Sequence, residues 1–114
     1  MTEQEFLKEY DSSGFQKPSV TVDLVLFTVR EETLQVLLTE RTQYPFIGKL
    51  SLPGVFVRID ETLDEAAQRA LYQKTGLHDI YLEQLYTWGA LDRDPRMRII
   101  SVSYYALVPD SEIP

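Results

Sequence analysis

One strong helix signal stands among segments that otherwise read as strands, and that order limits the fold more than any other feature. Thr62 to Thr75 carries Leu63, Ala66, Ala67, Ala70 and Leu71 as an apolar stripe at helical spacing. Thr62 and Glu65 have the spacing of a capping box, and Gly76 supplies the stop. Ahead of it, Ser19 to Arg30 is rich in β-branched and aromatic residues and reads as a strand. Val20, Val22, Leu24 and Leu26 share one face of it, and Val25 and Phe27 on the other face are also apolar, which predicts a central strand. Glu31 to Thr33 is a short polar connection to a hairpin partner, Leu34 to Glu40. Short strands are expected at Leu50 to Leu52 and Phe56 to Arg58 around Pro53-Gly54, and longer ones at Ile80 to Trp88 and Arg98 to Val108. A regular βαβ repeat needs more helices than this, so the pattern predicts an α+β domain built on a mixed sheet.

Composition narrows the chemistry. The 114 residues are 44% apolar, enough for one modest core and one domain. Eighteen acidic residues against 11 basic ones give a net charge of −7, which repels the phosphates of nucleic acid. With no cysteine there is no disulfide framework, thiol nucleophile or cysteine zinc site, and the usage fits a cytoplasmic protein. A lone histidine, His78, gives a histidine zinc site or a Ser-His-Asp triad little to build on, and reads as a cap or surface residue. The acidic start MTEQEFLKEY is not a signal peptide, and no apolar run approaches the roughly 18 residues that span a bilayer, so no membrane role is expected. Thr2 to Tyr10 predicts either a short helix docking through Phe6, Leu7 and Tyr10 or a frayed leader.

The chemical signal lies in Val55 to Leu77, VFVRIDETLDEAAQRALYQKTGL. It resembles the Nudix box, in which Gly, five residues, Glu, seven residues and R-E-U-x-E-E-x-G-U (U being a bulky aliphatic) gather carboxylates on magnesium for phosphoanhydride hydrolysis. Laid without a gap, the pattern matches at Glu61, Arg69, Leu71, Gly76 and Leu77. Val55 stands at its first Gly, and Ala70, Gln73 and Lys74 stand at its three helix glutamates. The matching positions build a loop and helix; the failing ones mainly carry metal. A Lys74 ammonium about 5 Å from a divalent ion would repel it by roughly 6 kcal/mol at an effective dielectric near 20, an upper figure because the side chain can swing away. Glu61 and Asp60 remain as weak metal candidates, with Glu61 also the weak catalytic candidate; Glu65 is expected in the cap, and Arg69 in a structural pair with Glu61 or Glu65.

The resemblance continues through TVDLVLFTV (21–29), LQVLLTER (34–41), YPFIGKLSLPG (44–54), RDPRMR (93–98) and ISVSYYALVP (100–109). It is to the ADP-ribose branch of the Nudix superfamily, and above all to the N-terminal domain of NrtR-type transcriptional regulators of NAD metabolism. It implies a mixed sheet flanked by helices, an α/β/α sandwich, over a single Nudix-like domain 1–114 with residues 1–18 as leader or helix. It also implies truncation at the C-terminus, with the regulators' DNA-binding winged-helix domain absent, and a homodimer that reaches DNA only through that domain. Three functions compete: an ADP-ribose sensor that does not hydrolyse, a Nudix hydrolase using a weak magnesium site, and an interaction module that has lost its ligand. The sensor fits best and needs no cofactor; magnesium enters only with hydrolysis.

By the same resemblance, Arg41, Arg93 and Arg96 are expected on the diphosphate, with Asp94 in their loop and Phe46 as an apolar wall. Arginine suits the task because its fork pairs with phosphate oxygens. Asp23 interrupts an apolar strand and reads as a wet strand face slightly more readily than a ribose contact. Tyr86 and Trp88 are expected in the core or on a dimer surface, and only one of Tyr104 and Tyr105 can be core.

Overall fold

The computed structural model describes residues 1–113. Its centre is β1, Ser19–Arg30, which pairs along one edge in parallel with β7, Ile99–Leu107. Along its other edge it pairs antiparallel with two partners in turn: β2, Thr33–Val36, beside its second half, and β5, Gly54–Phe56, beside its first. The strand β6, Glu83–Trp88, adds to the far side of β7. A separate ribbon joins β3, Thr39–Glu40, to β4, Leu50–Ser51. The sheet is therefore mixed, with β1 central, as the two-faced apolar pattern predicts.

Helix α2, Leu63–Thr75, has both halves of its capping box, and ends at Gly76 in the left-handed region (φ 78°). Ala66, Ala67, Ala70 and Leu71 lie buried against Val22, Leu24 and Leu26 of β1 and Val102, Tyr104 and Ala106 of β7. Three alanines bring the helix close to the sheet, and Leu71 fills the space they leave. Tyr104 is buried and Tyr105 is not, as strand alternation requires. The Tyr104 hydroxyl donates to Asp64 at 2.7 Å, which satisfies its polar end.

Three expectations change and a fourth narrows. The stretch 34–40 is not one strand: β2 ends at Val36 and β3 belongs to another sheet. Because β2 and β5 share one edge of β1, the chain between them must leave that edge; the Leu37 N–H still bonds Leu26 O at 3.0 Å as it departs. The strands near Pro53 are shifted to Leu50–Ser51 and Gly54–Phe56, since Pro53 has no N–H and serves as an acceptor from Leu24 N–H. The N-terminal helix forms (α1, Glu3–Glu9, capped by the Thr2 hydroxyl), but Phe6, Leu7 and Tyr10 remain exposed; Tyr10 instead lies between Phe6 and Phe15, with ring centres 5.6 and 6.4 Å apart. Of the two places expected for Tyr86 and Trp88, the core is ruled out: both are exposed, packing on each other at 4.6 Å, and the Trp88 indole N–H reaches the Ser103 hydroxyl at 2.8 Å.

Candidate functional site

Alternation along β1 sends Val22 and Leu24 to the core beneath α2 and leaves Thr21 and Asp23 on the opposite side. The register sets Thr21 beside Ser101 and Phe56, and Asp23 beside Gly54. These residues floor a cleft of about 460 Å³. Its walls come from the β3 end with Glu40 and Arg41, the following loop with Phe46, the loop 91–98, and the last turn of α2. Arg41, Phe46, Arg93, Asp94 and Arg96 thus all line one space, although 55 residues separate Arg41 from Arg96 in the chain. Asp60 and Glu61 stay outside it.

Each cation has a distinct setting. The Arg41 Nε–H donates to Pro45 O at 2.6 Å, and its backbone carbonyl accepts from Gly48 N–H, so a side chain and a short turn hold each other. Phe46 sits in that turn at φ 62°, unusual for a bulky residue, with its carbonyl accepting from Lys49 N–H. Arg96 forks onto both oxygens of Asp94, at 3.1 and 2.9 Å, and lies 5.4 Å from the Phe56 ring centre. That fork, together with a bond from the Arg96 backbone N–H, outweighs partial desolvation and holds the Asp94 carboxyl below the usual carboxylate range. Arg93 approaches Asp23 at 3.7 Å.

Asp23, read as a wet strand face or a ribose contact, floors the cleft with its side chain 23% exposed; burial pushes its carboxyl above the usual range, and the Arg93 charge only partly offsets this. Lys74 is the residue that the sequence left out of the site, for it also lines the cleft. Its sign was legible as hostile to a metal, but its side of the helix was not matched to the arginine loop. Counting the lining residues, Arg41, Lys74, Arg93 and Arg96 stand against Asp23, Glu40 and Asp94, so the cleft is cationic by one charge in a chain of net −7. A larger concavity of about 770 Å³ lies beside Gly76, Tyr81 and Pro109. It contains Asp79, Glu83 and Glu112 and no lysine or arginine, which makes it the poorer place for an anion.

The box carboxylate Glu61 is fully engaged. Its two oxygens accept from Arg69 at 2.8 and 2.9 Å, and one accepts the Arg58 backbone N–H at 3.0 Å. The Arg69 bonds are the main reason its pKa is lowered to about 2. Arg69 also reaches Phe56 O at 2.7 Å and the Gln73 side-chain oxygen at 3.3 Å, clipping the loop to the helix as the sequence suggests. Of the other box positions, Ala70 is wholly buried in the core. Among the described residues, no three His, Cys, Asp or Glu side chains converge as a metal site. Magnesium needs several hard oxygen ligands, and this donor set does not fit the carboxylate cluster that a Nudix box provides.

The profile of the NUDIX domain matches residues 17–114, and the chain belongs to the Nudix family. It is 41% identical, over 94% of its length, to the ADPR responsive transcriptional repressor NtrR of Acinetobacter baylyi, of which it covers 44%. It is 35% identical, over 84% of its length, to an ADP-ribose pyrophosphatase of Methanocaldococcus jannaschii, of which it covers 54%. The chain therefore spans about half the length of these curated relatives. The NUDIX domain of Shewanella oneidensis NrtR, solved with ADP ribose, superposes with a TM-score of 0.88 at 42% identity, covering 96% of this chain and 72% of that one. No helix among the described residues is long and apolar enough to cross a membrane.

Proposed function

We propose that this chain is the ADP-ribose-sensing domain of a cytoplasmic transcriptional regulator of NAD metabolism, and that it binds its ligand without hydrolysing it. The observation that carries this reading is the division of charge: the one box glutamate is consumed by Arg69, while the neighbouring cleft collects four cations. A diphosphate dianion is attracted by that cleft, and its cleavage lacks a carboxylate-held metal to polarise the bond. DNA contact belongs to another domain of the whole protein, because the acidic surface here repels nucleic acid. Homodimerisation is part of the same proposal, since two copies suit a paired operator site.

Residues Arg41, Arg93 and Arg96 are assigned to the diphosphate, with Asp94 holding the fork of Arg96 over Phe56. Phe46 supplies an apolar wall. Replacing Arg96 with Ala weakens ADP-ribose binding by about 1–3 kcal/mol, the range for a charged hydrogen bond, as measured by calorimetry. Unchanged affinity in that variant removes the loop from the site.

A second reading has one specific support, the likeness to a relative named as an ADP-ribose pyrophosphatase. In it, Glu61 and Asp60 hold a single weak magnesium ion. Incubating the chain with ADP-ribose and magnesium or manganese, and assaying AMP and ribose 5-phosphate, separates the two: turnover above a protein-free control selects the hydrolase.

A further inference from the structure

We propose that Lys74 supplies the fixed positive charge that balances the ligand's diphosphate, replacing a glutamate-held divalent ion. The assignment rests on the ligand-sensing reading above and deepens it. The gapless box register puts Lys74 at the last helix-glutamate position. The three positions have taken three different fates: Ala70 is buried in the core, Gln73 accepts from Arg69, and Lys74 lines the cleft. A carboxylate there repels a diphosphate unless a divalent ion bridges them. An ammonium attracts it directly, so one substitution removes the need for the bridge and supplies the charge that the bridge would have brought.

The surroundings single out this lysine. Arg93 is committed to Asp23 and Arg96 to Asp94, while Arg41 donates to Pro45 O. Among the described residues, Lys74 has neither an ion-pair partner nor a side-chain hydrogen bond within the chain. Arg41 and Arg96 keep guanidinium N–H groups free beside those bonds, but Lys74 is the cleft cation whose whole charge is uncommitted within the described residues. A purely structural role also exists, because a lysine in the last turn of a helix favours the carbonyl end of the dipole. That role predicts an effect on stability and none on ligand affinity.

The test is calorimetry in EDTA with two probes, ADP-ribose and inorganic pyrophosphate, on the wild-type chain and on Lys74→Gln, Lys74→Arg and Lys74→Glu, with thermal midpoints measured alongside. Lys74→Gln is expected to weaken both probes about tenfold or more, the loss of one charged hydrogen bond. Lys74→Arg, which keeps the charge, stays within about threefold. Lys74→Glu is weaker still in EDTA and recovers part of its affinity when magnesium is added. Equal affinity of wild type and Lys74→Gln for both probes overturns the assignment, whatever the thermal midpoints do, and leaves the ligand reading standing. If pyrophosphate binds through Lys74 but ADP-ribose does not bind the wild-type chain, the ligand reading falls and the assignment survives. If neither probe binds the wild-type chain, both fall.

Discussion

Replacing Leu71 with Ala is expected to lower the unfolding free energy by about 2–5 kcal/mol, the range for deleting a buried leucine side chain. Leu71 is wholly buried, and it is the one large side chain that α2 commits fully to the core beside Ala66, Ala67 and Ala70. Alanines have nothing to swing into the space left behind, and the facing residues Val22, Leu24 and Tyr104 are fixed by strand pairing. The cavity therefore persists, at the costly end of such substitutions. Domains of this size are stable by only about 5–15 kcal/mol, so the variant sits near the edge of folding. Urea denaturation followed by circular dichroism measures the difference, with Leu71→Met as the volume-conserving control that stays within about 1.5 kcal/mol. A loss below 1 kcal/mol for Leu71→Ala would mean that α2 is not anchored where its buried stripe puts it, and would undercut every position assigned to the box.

The second large effect is expected at Gly54, where the fold and the cleft meet. A methyl group added there would lie 2.9 Å from the Val22 carbonyl and 3.4 Å from Asp23 Cγ, and would run into an Asp23 carboxylate oxygen. The Asp23 side chain can turn away, but the carbonyl belongs to the β1 backbone beside the β5 pairing. Gly54→Ala is therefore expected to cost about 1–3 kcal/mol of stability, as overpacking does. It also shifts β5 and Asp23, which floor the cleft, so ADP-ribose affinity falls together with stability. A Gly54→Ala chain that keeps both the thermal midpoint and the affinity of the wild type would show that the close approach of β5 to Asp23 does not shape the cleft.

Much of the fold was legible because local signals agreed. Apolar residues on both faces, Val20 to Leu26 on one and Val25 and Phe27 on the other, identified β1 as central, and Thr62, Glu65 and Gly76 framed α2 with both caps in the expected places. Legibility failed where the outcome depends on distant partners. The break after Val36 follows from β5 occupying the same edge of β1, which no local pattern around Leu37 announces. The hairpin turn at Glu31 and Glu32 takes positive φ at both residues, 53° and 64°, without the Asn-Gly chemistry that usually marks it. At the site, family likeness brought Arg41 and the 93–96 loop into view. The parity of Thr21 and Asp23 on the face away from the core was already readable, but the parallel pairing that sets Ser101 beside Thr21 joins residues 80 apart. Lys74 was read for what it excludes, and its position beside the arginine loop emerged only when α2 was set against β5 and the loop.

If a cleft of fixed cations stands in place of carboxylate-held metal, ligand binding is separated from hydrolysis. Titration of the wild-type chain with ADP-ribose in EDTA, with chromatography of the nucleotide after further incubation in magnesium, tests it most directly. Saturable binding without metal and recovery of intact ADP-ribose are the expected results; binding that requires magnesium and ends in AMP and ribose 5-phosphate would contradict it.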